Sequence, residues 1–470
     1  MALNFRLVKR LSRHLQASLI LASAILPALA SGNAEQMYNS FCASCHGPDM
    51  SGGLGPALNN GQWKHGGSDE EIVRVIKKGV PKAGMPAWEK SLSDENIRAL
   101  VILIRERTYQ KKSSASNTAA AATDITAAGY TFTLEKVAEA SGELWAMDFL
   151  ADGRIITTQK DGKLWVFDKE GKAQEITGIP KVWDKGQGGL LQVRRHPDSA
   201  SGWIYLTLSD PSTKGAMTKV VRGKIDGTRW AAEQTIYSAD AGFYTDAGVH
   251  FGSRMVFQDD YVFFSIGDRG QQDLAQDLSR PNGKIHRVHA DGRVPADNPF
   301  VKEKNALPTI WSYGHRNPQG LTLQPETGAL WDAEHGPRGG DEINRVNKGA
   351  NYGWPVITYG MNYNGTPITG HTHKPGMEQP LHYWVPSIAV SAINFYTGER
   401  FPNWRNHLLV GSLAKEQLRL LRIDGDKVVA DELLLEGRGR IRDVVVGLDG
   451  YPYLVVFNST GIIYRLTPKS

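Results

Sequence analysis

Cysteine is nearly absent, with only Cys42 and Cys45 in 470 residues. That scarcity excludes a disulfide framework and a four-cysteine zinc site. Charge of one sign is not in excess either: 54 Lys and Arg stand against 49 Asp and Glu. The apolar run from Ala17 to Leu29 is shorter than the roughly 20 residues of a comfortable membrane span. It follows Arg6, Lys9, Arg10 and Arg13 and precedes Ala28-Leu29-Ala30. These are the charged region, apolar region and small-residue site of an export signal, so residues 1–30 are expected to be cleaved after about Ala30. An uncleaved anchor is the alternative. Loss of the leader with its four positive charges takes the formal charge from +5 to +1, so nothing favours nucleic acid as a partner. The mature chain is expected to have no membrane span.

The two cysteines belong to one motif, Cys42-Ala43-Ser44-Cys45-His46. C-x-x-C-H attaches a c-type haem through two thioether bonds, with the histidine as proximal iron ligand. A redox disulfide or zinc half-site is the other reading, opposed by the adjacent His46 and by the lack of a second pair. Thioether attachment is made outside the cytoplasm in bacteria, which agrees with the leader on a periplasmic address. Around the motif, residues 31–110 read as a small all-α domain. Ser68-Asp69-Glu70-Glu71 is a capping box ahead of Ile72, Val73, Val75 and Ile76, and Gly79 closes that helix. Ser93 caps another, with Leu92 and Ile97 as a staple and Ile97, Leu100, Val101 and Ile104 as the buried face. A third helix is expected before Cys42. Met85, in Gly84-Met85-Pro86, offers a thioether to the open side of the iron, where it would raise the reduction potential. Met85 as a gap-filler and His65 as a competing ligand stay open, whereas Met50 is too close to His46 to cross the ring. The region resembles a small class I cytochrome c.

Residues 111–128 are Lys, Ser, Thr and Ala without periodicity, a tether that as a coil would span about 23 Å. From Gly129 to Ser470 the pattern is apolar strand, turn, apolar strand. It recurs at 146–158, 190–209, 254–268, 320–334, 393–412 and 443–458. Roughly sixty residues per unit suffice for four strands each, which predicts a six-bladed β-propeller. The expected fold is thus an all-β six-bladed β-propeller with a small all-α cytochrome c domain at its N-terminus.

The start of a hairpin's first strand and the end of its second emerge at the same edge. Gln187-Gly188-Gly189, His250 to Arg254, His315-Arg316-Asn317 and Arg440-Ile441-Arg442 lie just before first strands. Asp268-Arg269, Glu334 to Pro337 and Lys415 lie just after second strands. These groups are expected to converge on one mouth of the central channel. Arg316, Arg440, Arg442 and Lys415 there suit a planar polyanion. His250 with Asp268 makes an oriented general base.

The motifs Gln-Gly-Gly-Leu-Leu (187–191), His-Phe-Gly-Ser-Arg (250–254), Gly-Asp-Arg-Gly (267–270) and Gly-His-Arg-Asn-Pro-Gln-Gly (314–320) come in this order. They are followed by Glu-His-Gly-Pro-Arg-Gly-Gly-Asp-Glu-Ile-Asn (334–344), Asn-Tyr-Gly-Trp-Pro (351–355) and Arg-Ile-Arg-Asp (440–443). Together they resemble the soluble PQQ-dependent glucose/aldose sugar dehydrogenases over nearly all of 129–470. The resemblance implies that pyrroloquinoline quinone (PQQ) is held by Gln187, Arg316, Asn317, Lys415, Arg440 and Arg442. It implies a Ca²⁺ on the carbonyls of Gly336 and Pro337. It implies that His250, oriented by Asp268, takes the anomeric proton while hydride leaves C1, giving a lactone. The aldose branch further implies a second Ca²⁺ at Glu342 with the carbonyls of Tyr352 and Tyr363. Asp341 or Glu342 bracing a turn, and Trp384 as core or as a wall over the cofactor, are left open.

Val249 and Ser387-Ile388-Ala389-Val390-Ser391 depart from the family pattern beside the sugar, and Lys415 stands one position off the family's lysine. The expectation is a sugar dehydrogenase passing electrons from an aldose to haem c, through Cys42, Cys45, His46 and Met85. A cytochrome, copper protein or quinone would receive them next. A calcium-dependent lactone hydrolase on the same fold is the competing reading, against which the cation cluster speaks.

Overall fold

A computed structural model describes residues 32–114 and 124–469. The expected leader, its cleavage site and the middle of the expected tether lie outside the described residues. Two compact units are present: an N-terminal one that also takes in Gly360–His371, and a second holding the rest.

In the N-terminal unit the expected helices form at Ala34–Phe41, Asp69–Lys78 and Asp94–Ser114, with the short turn Ala43–His46 between the first two. Ser68 and Glu71 make the reciprocal capping box, and the Ser93 hydroxyl accepts from the Asn96 amide at 3.3 Å. Met37 and Tyr38 of the first helix are buried, as are Ile97, Leu100, Val101 and Ile104 of the last, which both other long helices pack against. Asp69 opens its helix with a carboxylate, favourable at the positive end of the helix dipole. Arg98 and Arg105, each 2.8 Å away, pin it from the last helix.

The tether is shorter than expected. Helix continues through Ser114, and Asp124–Ala127 is a strand paired with Tyr130–Thr133. Backbone pairing satisfies what composition alone reads as coil.

The second unit is a ring of six sheets, five four-stranded and one five-stranded. Their inner strands are Leu144–Phe149, Leu190–Arg195, Met255–Gln258, Pro318–Leu323, Val390–Phe395 and Arg440–Val446, blades 1 to 6 here. Each pairs with the next strand in the sequence, so all six expected hairpins are the inner two strands of a blade. Blade 6 closes the ring: Tyr130–Ala140 pairs with the C-terminal Gly461–Pro468, from Phe132↔Pro468 to Ala140↔Gly461. That pairing covers edges the chain ends would otherwise expose.

Six wedges of the hydrophobic core lie between neighbouring blades, and a smaller cluster of Trp145, Ala146, Leu191, Ala216 and Phe251 joins blades 1 and 2 to the loop entering blade 3. Ile156 and Val166 meet Val193 and Leu206; Tyr205 and Val220 meet Val262 and Phe264; Phe263 and Ile285 meet Leu321 and Leu330. Trp331 and Ile343 meet Phe395 and Val410; Leu409 and Leu420 meet Leu454 and Phe132; Val455 and Ile463 meet Met147 and Phe149. Trp384 belongs to the wedge between blades 4 and 5, its indole N–H donating to Asp431 at 2.9 Å, so it is core and not a wall over a cofactor.

The channel itself is crossed by a buried ion pair. Arg254 donates to Asp443 at 2.8 Å, to the Gln319 carbonyl at 2.6 Å and to the Arg442 carbonyl at 2.7 Å. Its guanidinium lies 4.3 Å from the Trp145 ring centroid. Asp443 also accepts from the Met147 amide at 2.9 Å. One side chain of blade 3 therefore ties blades 4, 6 and 1 together. Asp443→Ala leaves that guanidinium buried and uncompensated and should lower stability by about 3–5 kcal/mol in urea unfolding. Arg254→Met added to Asp443→Ala should recover part of the loss; a single variant as stable as wild type would remove the pair from this role.

Candidate active site and candidate haem site

His250 stands in the loop entering blade 3 with φ 53°, a left-handed conformation that histidine tolerates better than most residues. The loop is fixed from several sides. The His250 amide donates to Gln187 Oε1 at 2.7 Å, and the Gly252 amide to Asn317 Oδ1 at 3.0 Å. Arg269 donates to the carbonyls of Val249 and Ala247 and lies over the Phe251 ring. Burial pushes the Arg269 guanidinium down to about 9. Gly267 permits the closest approach: a Cβ there would sit 2.4 Å from the His250 carbonyl oxygen.

This geometry brings His250 Nδ1 to 2.6 Å from Asp268 Oδ1. Asp268 is itself oriented: Oδ1 accepts from the Gly270 amide at 2.7 Å and Oδ2 from the Trp354 indole N–H at 2.8 Å. With Nδ1–H engaged by the carboxylate, Nε2 keeps a lone pair, the arrangement of an oriented base. Burial holds His250 below the ordinary 6.5, with Arg316 adding to the effect against the opposing pull of Asp268. Burial alone would raise Asp268, but its bond and charge interaction with His250, and then Arg316, keep it below its ordinary value.

Beside the dyad is a partly open cleft lined by Arg316, Glu334, His335, Gly336, Glu342 and Trp354 among others. Arg316 is placed by its own amide, which donates to Glu334 Oε2 at 2.6 Å, and by its guanidinium on the His335 carbonyl at 3.1 Å. Arg442 contacts Gln319 Oε1 at 3.4 Å and pairs with Glu143 at 2.5 Å. Burial, then Arg316, Arg442, His250 and Arg440, press the His335 imidazole well below its ordinary value. Three guanidinium groups thus act on one small region, and Arg442 Nε is buried without a hydrogen-bond partner among the described residues. The surroundings fit a planar anion carrying carboxylates. They also fit a hard cation at Gly336 and Pro337, whose carbonyls accept from no backbone amide among the described residues, while Gly336 is held by its amide on Asp341 at 2.9 Å. Asp341 is a brace: it accepts also from the amides of Ile388 at 2.9 Å and Val390 at 3.2 Å.

The expected residues differ in how the structure treats them. His250, Asp268, Gln187 and Asn317 are joined by the bonds above, and the Asp268 amide donates to the Arg316 carbonyl at 2.8 Å, but Gln187 and Asn317 spend their carboxamide oxygens on loop backbone. Arg440 and Arg442 lie within the inner strand of blade 6, not before it. Lys415 is half-buried in the turn after Leu408–Ser412, at the edge foreseen for it. Of the second-calcium residues, Glu342 and Tyr352 lie in the second unit and Tyr363, 72% exposed, in Gly360–His371. Trp354, Gln319 and Glu143 had no expected role. Trp354 sits in a quoted motif, but its bond to Asp268 joins positions far apart in the chain.

In the N-terminal unit, His46 Nδ1 lies 2.8 Å from the Pro56 carbonyl, which takes the Nδ1 proton and leaves Nε2 for a metal. Gly55 lies flat on that imidazole; a Cβ there would be 2.8 Å from the ring. Cys42 and Cys45 are free thiols on the same turn, Cys42 pushed up to about 11 by burial and by Cys45. These residues fit thioether attachment and axial ligation. Met85 is half-buried in a loop held by mutual backbone bonds with Val80, Met50 is buried, and His65 is exposed.

Comparison with known proteins gives a family for each of the two parts of the chain. Residues 142–465 match the family described as glucose/sorbosone dehydrogenase, and residues 30–104 match cytochrome c oxidase, cbb3-type, subunit III. The aldose sugar dehydrogenase YliI of Escherichia coli K12 is 41% identical over 355 residues, covering 73% of this chain and 95% of that protein. The apo crystal structure of the soluble aldose sugar dehydrogenase of E. coli superposes with TM-score 0.69 at 38% identity, over 72% of this chain and all of that one. The PQQ-bound aldose sugar dehydrogenase of Streptomyces coelicolor gives TM-score 0.61 at 25% identity, over 74% of this chain and all of that one.

The electrostatics of the dyad can be read without any substrate. In an imidazole NMR titration His250 should titrate below 6.5. Asp268→Asn removes the charge that favours imidazolium and should lower the value further; Arg316→Gln removes a repelling charge and should raise it. Shifts of the opposite sign would refute this reading of the site.

Proposed function

We propose, on the premise that this chain belongs to the glucose/sorbosone dehydrogenase family and carries a cytochrome c domain, that it oxidises aldoses at C1 in the periplasm and passes the electrons to its own haem. The observation that carries the reading is the 2.6 Å pair of half-buried His250 and buried Asp268 at the edge of a cleft walled by Arg316, with Arg442 and Arg440 close by. His250 Nε2 accepts the proton of the anomeric hydroxyl. Asp268 holds Nδ1–H, keeps the ring in that tautomer and compensates the imidazolium that results. Trp354 and Gly270 fix Asp268, so the base turns with neither sugar nor solvent. Because Arg316 and burial keep His250 neutral at physiological pH, the base needs no prior deprotonation.

PQQ, held by Gln187, Arg316, Asn317, Lys415, Arg440 and Arg442, supplies when bound a two-electron acceptor for the C1 hydride, so that a lactone leaves. A calcium ion on the carbonyls of Gly336 and Pro337 supplies Lewis acidity at that acceptor. Cys42 and Cys45 would attach a haem c that His46 and Met85 would ligate, and the haem would supply a one-electron outlet to an external cytochrome, copper protein or quinone. The export signal and the thioether motif support the periplasmic address.

Addition of PQQ and Ca²⁺ to the apo-protein should allow an aldose to reduce the haem, followed by its absorbance. His250→Ala should slow that reduction by about 10²- to 10⁴-fold while direct chemical reduction of the haem is unchanged. No reduction with a broad panel of aldoses and alcohols would sink the proposal. Lactone hydrolysis without PQQ would replace it with a hydrolase. The acidic limb of kcat/KM should fall below pH 6.5, since activity is lost only as His250 is protonated.

A further inference from the structure

Blade 4 carries a second cluster that the dyad does not use. Asp332 and Glu334 are alternate residues of strand Leu330–Glu334 and so share one face. His315 comes from the loop entering the blade, and Asn344 lies opposite Asp332 in the adjoining strand. His315 Nδ1 is 3.1 Å from Glu334 Oε1 and 3.5 Å from Asp332 Oδ2. One ligand atom from each of His315, Asp332 and Glu334 lies within 4.8 Å of the other two. His315 and Asp332 are 0% exposed and Glu334 4%.

Asp332 is the group that calls for a ligand. Neither of its carboxylate oxygens has a hydrogen-bond partner among the described residues, although the side chain is fully enclosed. Asn344 Oδ1 is also buried and unpartnered, while its Nδ2 lies 3.3 Å from Glu334 Oε1. Enclosed carboxylates in such a group are stable only when protonated, paired or bound to a metal.

We propose that His315 Nδ1, Asp332 and Glu334 bind a first-row divalent cation such as Mn²⁺. An imidazole nitrogen among carboxylates suits such an ion better than Ca²⁺, which takes oxygen ligands. The outer partner is present: Ser312 Oγ, 2.9 Å from His315 Nε2, accepts that proton and leaves Nδ1 for the metal. The set shares no ligand with Gly336 and Pro337, or with Glu342, Tyr352 and Tyr363. Its structural effect falls on Arg316, whose amide donates to the other oxygen of Glu334.

The test uses the full chain without PQQ, stripped with a chelator, saturated with Ca²⁺ and titrated with Mn²⁺, with free Mn²⁺ followed by electron paramagnetic resonance. The wild type should take up a single equivalent that Ca²⁺ does not displace. Asp332→Asn and His315→Gln, checked as folded by circular dichroism, should each weaken uptake on the order of 100-fold. Uptake unchanged in both variants would overturn the site. A wild type that binds no Mn²⁺ overturns it without any variant and leaves the cluster held by shared protons. None of these outcomes depends on sugar oxidation, so failure of the proposed function and failure of this site are separable.

Discussion

The ring depends on the buried pair of Arg254 and Asp443. Six blades in a circle bury apolar wedges between neighbours, but wedges alone fix only adjacent blades. Arg254 reaches across the channel, with Asp443 and the Arg442 carbonyl on blade 6, the Gln319 carbonyl on blade 4 and Trp145 on blade 1. A planar guanidinium can serve all these directions at once; an ammonium cannot. Burial pushes it down to about 10, with the Asp443 carboxylate opposing that shift, so the charge persists at any physiological pH.

The site inherits its precision from that arrangement. Arg254 closes the same loop that His250 opens, and the residue whose carbonyl it grips is Arg442. The catalytic loop and the cation wall are therefore referenced to one side chain. The remaining freedom of the loop is removed by Gln187, Asn317 and Arg269, all acting on backbone. His250 is left with one carboxylate, one open nitrogen and a left-handed backbone whose carbonyl lies close against Gly267.

The blades were legible because each begins with a hairpin whose turn residues and alternating strands are local signals. So were the helices around Cys42, from Ser68, Ser93 and the stripe Ile97, Leu100, Val101 and Ile104. The convergence of His250, Asp268 and Arg316 followed from strand direction alone. What stayed hidden depends on closure. Tyr130–Ala140 carries no mark of its partner, because Gly461–Pro468 is at the other end of the chain. Residues 124–127 read as tether because their composition is that of a linker and only pairing makes them strand. Trp384 and Trp354 have the same local appearance, yet one fills a wedge and the other orients Asp268. The difference lies in partners at Asp431 and Asp268 that no local pattern reports.

Blade 4 also explains how opposite charges coexist within a few ångströms. The strand Leu330–Glu334 ends at Glu334, whose two oxygens face different demands: Oε2 takes the Arg316 amide and Oε1 faces His315. On the Arg316 side the guanidinium groups favour an anion. On the His315 side the carboxylates of Asp332 and Glu334 favour a cation or protons. Hydrogen bonding to backbone lets Glu334 sit between the two without belonging wholly to either, and Asp341 performs the same service for the Gly336 turn and the 388–390 segment. A carboxylate bound by amides is fixed in place as well as in charge. The polarity of the cleft is therefore built into the end of one strand, and any change in the charge behind Glu334 must be felt at Arg316.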